Sequence, residues 1–374
     1  MQTPREILAD LWTSAGGEPA ALDAVTLTGK EPQLPSSFRV AAAAQASIAA
    51  VGLAAAHIWK LRSGQSQDVA GGVVAMMRSH DEWSDLPHAS ALAALPLMTI
   101  EKIGDAAPKP WPNGDRPLAG LRVLDLSRVI AGPVAGRTLA AHGADVMLIS
   151  SPDLPAIPWL TIDTGRGKLT SFAELKSGQG RGLLRELLVS ADIFSQGYRP
   201  QALARLGFSP EDAARIHPGI IFVSLSAYGH AGPWAARRGF DSLVQTATGF
   251  NAAEGQAAGV DGPKELPAQI LDHATGYLMA FGAMMAKARQ GSEGGSWHVR
   301  VSLAQTGRWL WNLGRVADGF KTEDLKGEAV SAFAEEAASG FGPLRSIRHS
   351  AELSETPAFW ARPAMPLGSH PPQW

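Results

Sequence analysis

The chain has no cysteine at all. Disulfides, thiolate nucleophiles and cysteine-based metal sites are therefore excluded. Excess charge is also lacking: the formal net charge is -2, and no basic run exists that would serve a nucleic acid or an anionic membrane surface. The expected partner is a small molecule, with no nucleic acid and no membrane. Long apolar runs are scarce. Only Val40–Trp59 is long enough to be weighed as a membrane span; it is mostly alanine, carries Gln45, Ser47 and His57, and lacks the leucine, isoleucine and phenylalanine that drive insertion. A buried helix is the better reading. Met1–Leu8 has polar and acidic residues where a secretory leader needs a basic start and an apolar centre, so the cytoplasm is the expected compartment. No phosphate loop, zinc-protease helix or nucleophile-elbow motif is present.

What is present is 374 residues, 45% of them hydrophobic, enough for two domains and a large core. Pro4–Leu11 reads as a short helix. A longer Ala-rich helix follows over about Phe38–Leu61, with Gly64 placed to end it. Ala54–Gly64 followed by Gln67-Asp68-Val69 parallels Gly282–Gly291 followed by Trp297-His298-Val299, which suggests an internal repeat. In that alignment Gln45 falls opposite Asp272, so the first copy lacks the acid. Helices are expected at Gly72–Met77 and His88–Leu95, and a strand at Leu97–Ile100. Pro108, Pro110, Pro112 and Pro117 make Ala106–Pro117 a stiff linker and an expected domain boundary.

Beyond the linker, strands and helices alternate. Strands are expected at Arg122–Leu126, Asp145–Ile149, about Ser171–Leu175, Ile193–Ser195 and Ile220–Ser224. Helices are expected at Gly132–His142, Gly180–Val189, around Ala202 and at Pro210–Ile216. This grammar defines an α/β fold with a doubly wound, Rossmann-like parallel sheet and a ligand at the carboxyl ends of its strands. The first strand is followed by Ser127-Arg-Val-Ile-Ala-Gly-Pro133 and the second by Ser150-Ser151-Pro152. Neither is a dinucleotide fingerprint, so a resident NAD is not expected. The expected division is a helical partial repeat with a small-domain remnant over 1–110, a ligand-binding sheet domain over 111–316, and a closing tail over 317–374.

Asp272 opens an apolar, small-residue run in which Thr275, Gly276, Met279, Gly282, Ala283 and Ala286 share one helical face. That thin face would let another backbone or a ligand come close. On spacing alone Asp272 is equally a helix cap, a role aspartate fills by accepting backbone N–H groups.

Several segments, in order, resemble the family III CoA-transferases, the CaiB/BaiF family. They are Pro117–Leu126, Ala131-Gly-Pro133, Gly143–Val146, Tyr198-Arg-Pro200 through Leu206-Gly207, His217-Pro218, Val223–Gly229, Gly232-Pro233, Gly239-Phe-Asp241 and Leu271-Asp272 with Gly276. Pro366–His370 resembles that family's closing signature. The resemblance implies that Asp272 is a nucleophile that passes through an aspartyl-CoA thioester, with helix-start N–H groups keeping its carboxylate ionised. It further implies that Ala131, Lys176, Tyr198, Arg199, Arg205 and Arg238 contact CoA, the arginines at phosphates. CoA would be substrate, with no permanently bound cofactor and no metal, and the assembly a homodimer. Ser150 and Ser151 stand where many relatives carry an acid and a base. Phe240 replaces the histidine of the racemase branch, and a phenyl ring moves no proton. His230 and His273 read as structural or surface residues. The chain also departs from the family in carrying helical material ahead of the sheet and only a short tail behind it.

Overall fold

The computed structural model describes residues 3–14, 18–25, 27, 75–316, 319, 326–349 and 353–374. The Ala-rich helix over Phe38–Leu61 and the first copy of the repeat lie outside the described residues. Two compact units divide the chain, Met1–Trp83 with Gln245–Glu265 and Ser84–Val244 with Leu266–Trp374.

In the first unit, α1 (Pro4–Ser14) sets Leu8 and Trp12 against Leu22 and Val25, and Arg5 donates to the carbonyls of Leu22 and Val25. The expected helix at Gly72–Met77 is not borne out at Ala75–Met77, which have no helical backbone. Arg78 next to them donates its backbone N–H to Thr246 O instead, a donor that a continuing helix would have used within itself.

The second unit is built on seven strands: β1 (Thr99–Gly104), β2 (Arg122–Leu126), β3 (Asp145–Ser150), β4 (Lys168–Phe172), β5 (Ile193–Gln196), β6 (Ile221–Ser226) and β7 (Ser296–Ser302). Their order is β1-β7-β6-β5-β2-β3-β4; every neighbouring pair is parallel except β1 with β7. Without β1 this is the doubly wound order, and its strand sequence reverses between β2 and β5, where such sheets leave a crevice at their carboxyl ends. The strands follow from composition: Val123–Leu126 and Val146–Ser150 are buried on both faces, as sheets covered by helices on both sides require. The helices used below are α2 (Pro87–Ala93), α3 (Ala131–Ala141), α4 (Gly178–Val189), α5 (Pro210–Ile216), α6 (Asp241–Ala247), α7 (Ile270–Glu293) and α8 (Leu303–Asn312).

Three boundaries differ from expectation for physical reasons. Strand β4 begins at Lys168, three residues ahead of the expected start, because a lysine that reads as polar is fully buried against Asp125. Strand β1 runs on past Ile100 through Glu101 and Lys102, which face outward on an edge strand that tolerates charge. Because β1 joins the sheet edge, the Pro-rich Ala106–Pro117 runs inside the second unit.

A short antiparallel hairpin, β8 (Ala334–Ala337) with β9 (Leu344–Ile347), is tied to the sheet domain by Arg166, which donates to Ser346 Oγ and Ile347 O. The tail Pro366–His370 covers the β4 edge: His370 N–H donates to Thr170 O, and Thr170 N–H donates to His370 Nδ1 at 3.0 Å. An unpaired edge is thereby closed.

Helix α7 lies along α3 and over β6 and β7. Its thin face is the contact. A Cβ on Gly276 would stand 2.5 Å from Ala131 O and 2.8 Å from Val134 Cβ, and one on Gly282 would stand 2.5 Å from a Val299 methyl. Backbone cannot give way as a flexible side-chain end can. Gly276→Ala is therefore expected to destabilise the fold by roughly 1–3 kcal/mol in urea unfolding. Gly182→Ala in α4, where an added methyl meets nothing within 4 Å, is expected to stabilise by about 0.5–1 kcal/mol.

Candidate active site

Two turns of unusual backbone lead into the two helices of this contact. The turn leaving β2 places Val129 at φ 71° before α3, and the turn entering α7 places Ala268 at φ 59° and Gln269 at φ 50°. Left-handed geometry costs non-glycine residues, a β-branched valine most, so packing must hold both turns in place. Behind the first turn lies a buried pair. Lys168 Nζ donates to Asp125 Oδ2 at 2.9 Å and to Pro133 O at 2.8 Å, and both side chains are 0% exposed. Ser127 Oγ donates to the other oxygen of Asp125. Gly136 makes room for this: a Cβ there would lie 2.5 Å from Asp125 Oδ2 and 2.8 Å from Lys168 Nζ. Burial holds the ammonium's pKa below its ordinary value, with Asp125 acting against it. The pair fixes the first turn of α3, and with it Ala131, which is buried.

Asp272 is the third residue of α7, in its first turn. Gln269 occupies the cap position, so the cap reading of Asp272 does not hold. The group that receives the helix N-terminus is Asp241, whose Oδ2 accepts the Asp272 backbone N–H at 2.9 Å. Asp241 and Asp272 are both buried, 1% and 8% exposed. The expectation that the helix start keeps Asp272 ionised meets an opposing push. Burial first, and the neighbouring Asp241 charge second, push its pKa up to about 7.

The sheet's carboxyl edge carries a cavity of about 200 Å³. Leu126, Ile149, Leu203 and Leu206 form its apolar wall, and Ser151, Glu174, Lys176 and Tyr198 its polar rim. Ser151 Oγ donates to Glu174 Oε2, and Lys176 N–H donates to Glu174 Oε1. Burial pushes the Tyr198 phenol up.

The candidate residues thus fall into groups. Ala131 lies against α7 one helical turn beyond Asp272, and Lys176 and Tyr198 line the cavity. Arg199, Arg205 and Arg238 are exposed and line neither place; Arg199 follows Tyr198, and Arg238 lies in the loop that leads into α6. His230 is exposed and His273 half-buried. Asp241, Lys168 and Asp125 carry structural weight that no role was assigned from sequence. Asp241 had a signal, the Gly239-Phe-Asp241 motif; a buried lysine has none. Among the described residues no three His, Asp or Glu side chains converge as metal ligands.

Residues 118–334 match CoA-transferase family III, and the chain belongs to that family. Among curated relatives, the acetyl-coenzyme A transferase nodX of Hypoxylon pulicicidum is 35% identical over 199 residues, covering 52% of this chain and 34% of its own length. The succinate–glutarate CoA-transferase of Agrobacterium fabrum is 32% identical over 214 residues, covering 51% of this chain and 52% of its own. The probable fatty acyl-CoA transferase Rv3272 of Mycobacterium tuberculosis is 29% identical over 227 residues, covering 56% of this chain and 57% of its own. The chain therefore spans about a third to somewhat over half of these relatives' length. The crystal structure of Rv3272 superposes with a TM-score of 0.58 at 20% identity, covering 69% of this chain and 98% of that one, which establishes a shared fold.

A carboxyl whose pKa is higher folded than unfolded takes stability away as pH rises from the unfolded value toward the folded one. For Asp272 that window runs from 3.8 to about 7. Asp272→Asn is accordingly expected to stabilise the protein at pH 8 by on the order of 2–4 kcal/mol, and by less at pH 5. Urea midpoints of both proteins at the two pH values check this.

Proposed function

We propose that the chain is a CoA-transferase, moving CoA from an acyl-CoA to a carboxylic acid through an aspartyl-CoA thioester on Asp272. The observation that carries this reading is a buried carboxyl at the start of α7, beside Asp241 and one turn from the contact with Ala131. Burial strips water from the carboxylate and makes it the stronger nucleophile once ionised.

The steps balance without an external base. The Asp272 carboxylate oxygen attacks the thioester carbonyl, and the C–S bond breaks to release CoA thiolate and leave a mixed anhydride. The thiolate attacks the aspartyl carbonyl of that anhydride, releasing the donor as its carboxylate. The acceptor carboxylate then repeats the steps in reverse, so the thioester bond energy is conserved. Helix α3 opens at Ala131 beside α7, and we assign the N–H groups of its first turn to the oxyanion that forms in each attack. Lys176 and Tyr198 hold the nucleotide end of CoA in the apolar cavity, Tyr198 by stacking, with Arg199, Arg205 and Arg238 as phosphate contacts. Phe240, half exposed beside Asp241, carries no proton, so the racemase chemistry of the same family is the weaker reading. Tyr277, Phe281 and Met285 form an exposed apolar stripe along α7, 44%, 51% and 41% exposed, which supports association of two copies.

The test is intact-protein mass spectrometry after incubation with a panel of acyl-CoAs; succinyl-CoA and glutaryl-CoA come first, given the names of relatives. Wild type is expected to gain a hydroxylamine-sensitive adduct and Asp272→Ala none. CoA binding without adduct or exchange for any donor would leave a non-catalytic CoA-binding protein as the better account.

A further inference from the structure

The chain ahead of the family-matched region contributes more than an edge strand. His88 on α2 is 1% exposed, and its ring is held at both nitrogens. His88 Nε2 lies 2.8 Å from Tyr228 O, and Trp234 N–H donates to Nδ1 at 3.2 Å, an arrangement that fits the neutral Nε2–H tautomer. The imidazole stacks on the Trp234 ring at 5.5 Å and 15° and meets Tyr228 edge-on. The loop is shaped to this ring. A Cβ on Gly232 (φ 81°) would stand 2.7 Å from His88 Nδ1 and 2.8 Å from Ala91 Cβ.

Both ends of this contact are anchored. Gln305 Nε2 on α8 donates to Leu92 O, Leu95 O and Pro96 O, fixing the end of α2, and Ala304 N–H donates to Ala227 O at the start of the loop. From Trp234 onward the loop is short and stiff. Arg237 N–H donates to Trp234 O, the Arg237 guanidinium lies over the Trp234 ring at 4.1 Å, and Gly239 packs against Ala227 and the Tyr228 ring. Arg238 and Asp241 follow directly, and Asp241 receives the Asp272 N–H.

We propose that His88 is a positioning residue for the acyl-CoA site, latching the Tyr228–Arg238 loop so that Arg238 meets a CoA phosphate and Asp241 meets the start of α7. This rests on the reading of Arg238 and Asp272 given above. A buried imidazole with one donor and one acceptor used is a stiff clamp, because releasing the loop leaves Tyr228 O and Trp234 N–H without their ring partners.

Two readouts on the full chain test it: the rate of tryptic cutting after Arg237 and Arg238, followed by mass, and the dissociation constant of CoA. His88→Ala is expected to raise both about tenfold, the loss typical of one buried hydrogen-bonded contact, with cutting elsewhere unchanged. His88→Gln, whose amide still donates to Tyr228 O, is expected to fall between. Gly232→Ala pushes the loop off the same ring, its added methyl meeting His88 and Ala91, while leaving the imidazole itself in place; it guards against a folding failure of His88→Ala and is expected to act in the same direction. Unchanged cutting in these variants would overturn the latch. Faster cutting with unchanged CoA affinity would overturn its service to the site. Absence of CoA binding by wild type would sink the CoA reading itself, while the cutting pattern would still decide whether His88 holds the loop.

Discussion

The arrangement depends on one close approach, the passage of α7 across the start of α3 with the Ala131 carbonyl where a Gly276 side chain would stand. Any larger residue would move α7 away from the turn that leaves β2. The small residues that follow extend the same logic toward the sheet, with Gly282 against Val299 and Ala283 and Ala286 in the core. A parallel doubly wound sheet opens a crevice where its strand order reverses, between β2 and β5. The glycine contact brings a carboxyl-bearing helix start to the turn that leaves β2 there.

Electrostatics at that point is organised by burial, and the two acidic positions answer it differently. Asp125 is matched by Lys168 and Ser127 in a fully buried cluster; removing one partner of such a pair costs about 3–5 kcal/mol. Asp272 has instead a second acid beside it. Its carboxyl is held near the midpoint of its titration at neutral pH, where it ionises readily yet is poorly solvated. The left-handed Val129, Ala268 and Gln269 are the local cost of placing both turns, and they cluster where strained backbone is commonly found in enzymes.

Much of this was legible in the residues. Continuous apolar runs located β2 and β3, the helix expected at Pro210–Ile216 is α5, and the small-residue face of α7 was read as one allowing close approach. What sequence could not give was what a polar residue meets in three dimensions. The strand at Lys168 was expected to start only at about Ser171, because nothing local reveals that lysine's partner on β2, 43 residues earlier. Asp272 could be read as a cap or, by resemblance, as a nucleophile, and its ionisation was expected to follow the helix start; the cap position falls to Gln269, and desolvation with Asp241, 31 residues away, pushes the carboxyl's pKa up. His88 carried no signal, because its partners lie 140 and 146 residues downstream.

The central claim is that an Asp272 oxygen takes part in the chemistry. The most direct measurement supplies the acceptor acid with both carboxyl oxygens as oxygen-18 during turnover and then weighs the peptide that carries Asp272. Exchange through an anhydride leaves one acceptor oxygen on the aspartate, so that peptide is expected to gain a heavy oxygen, only when donor acyl-CoA is present. Acyl-CoA product formed from labelled acceptor with no label in that peptide would contradict the account.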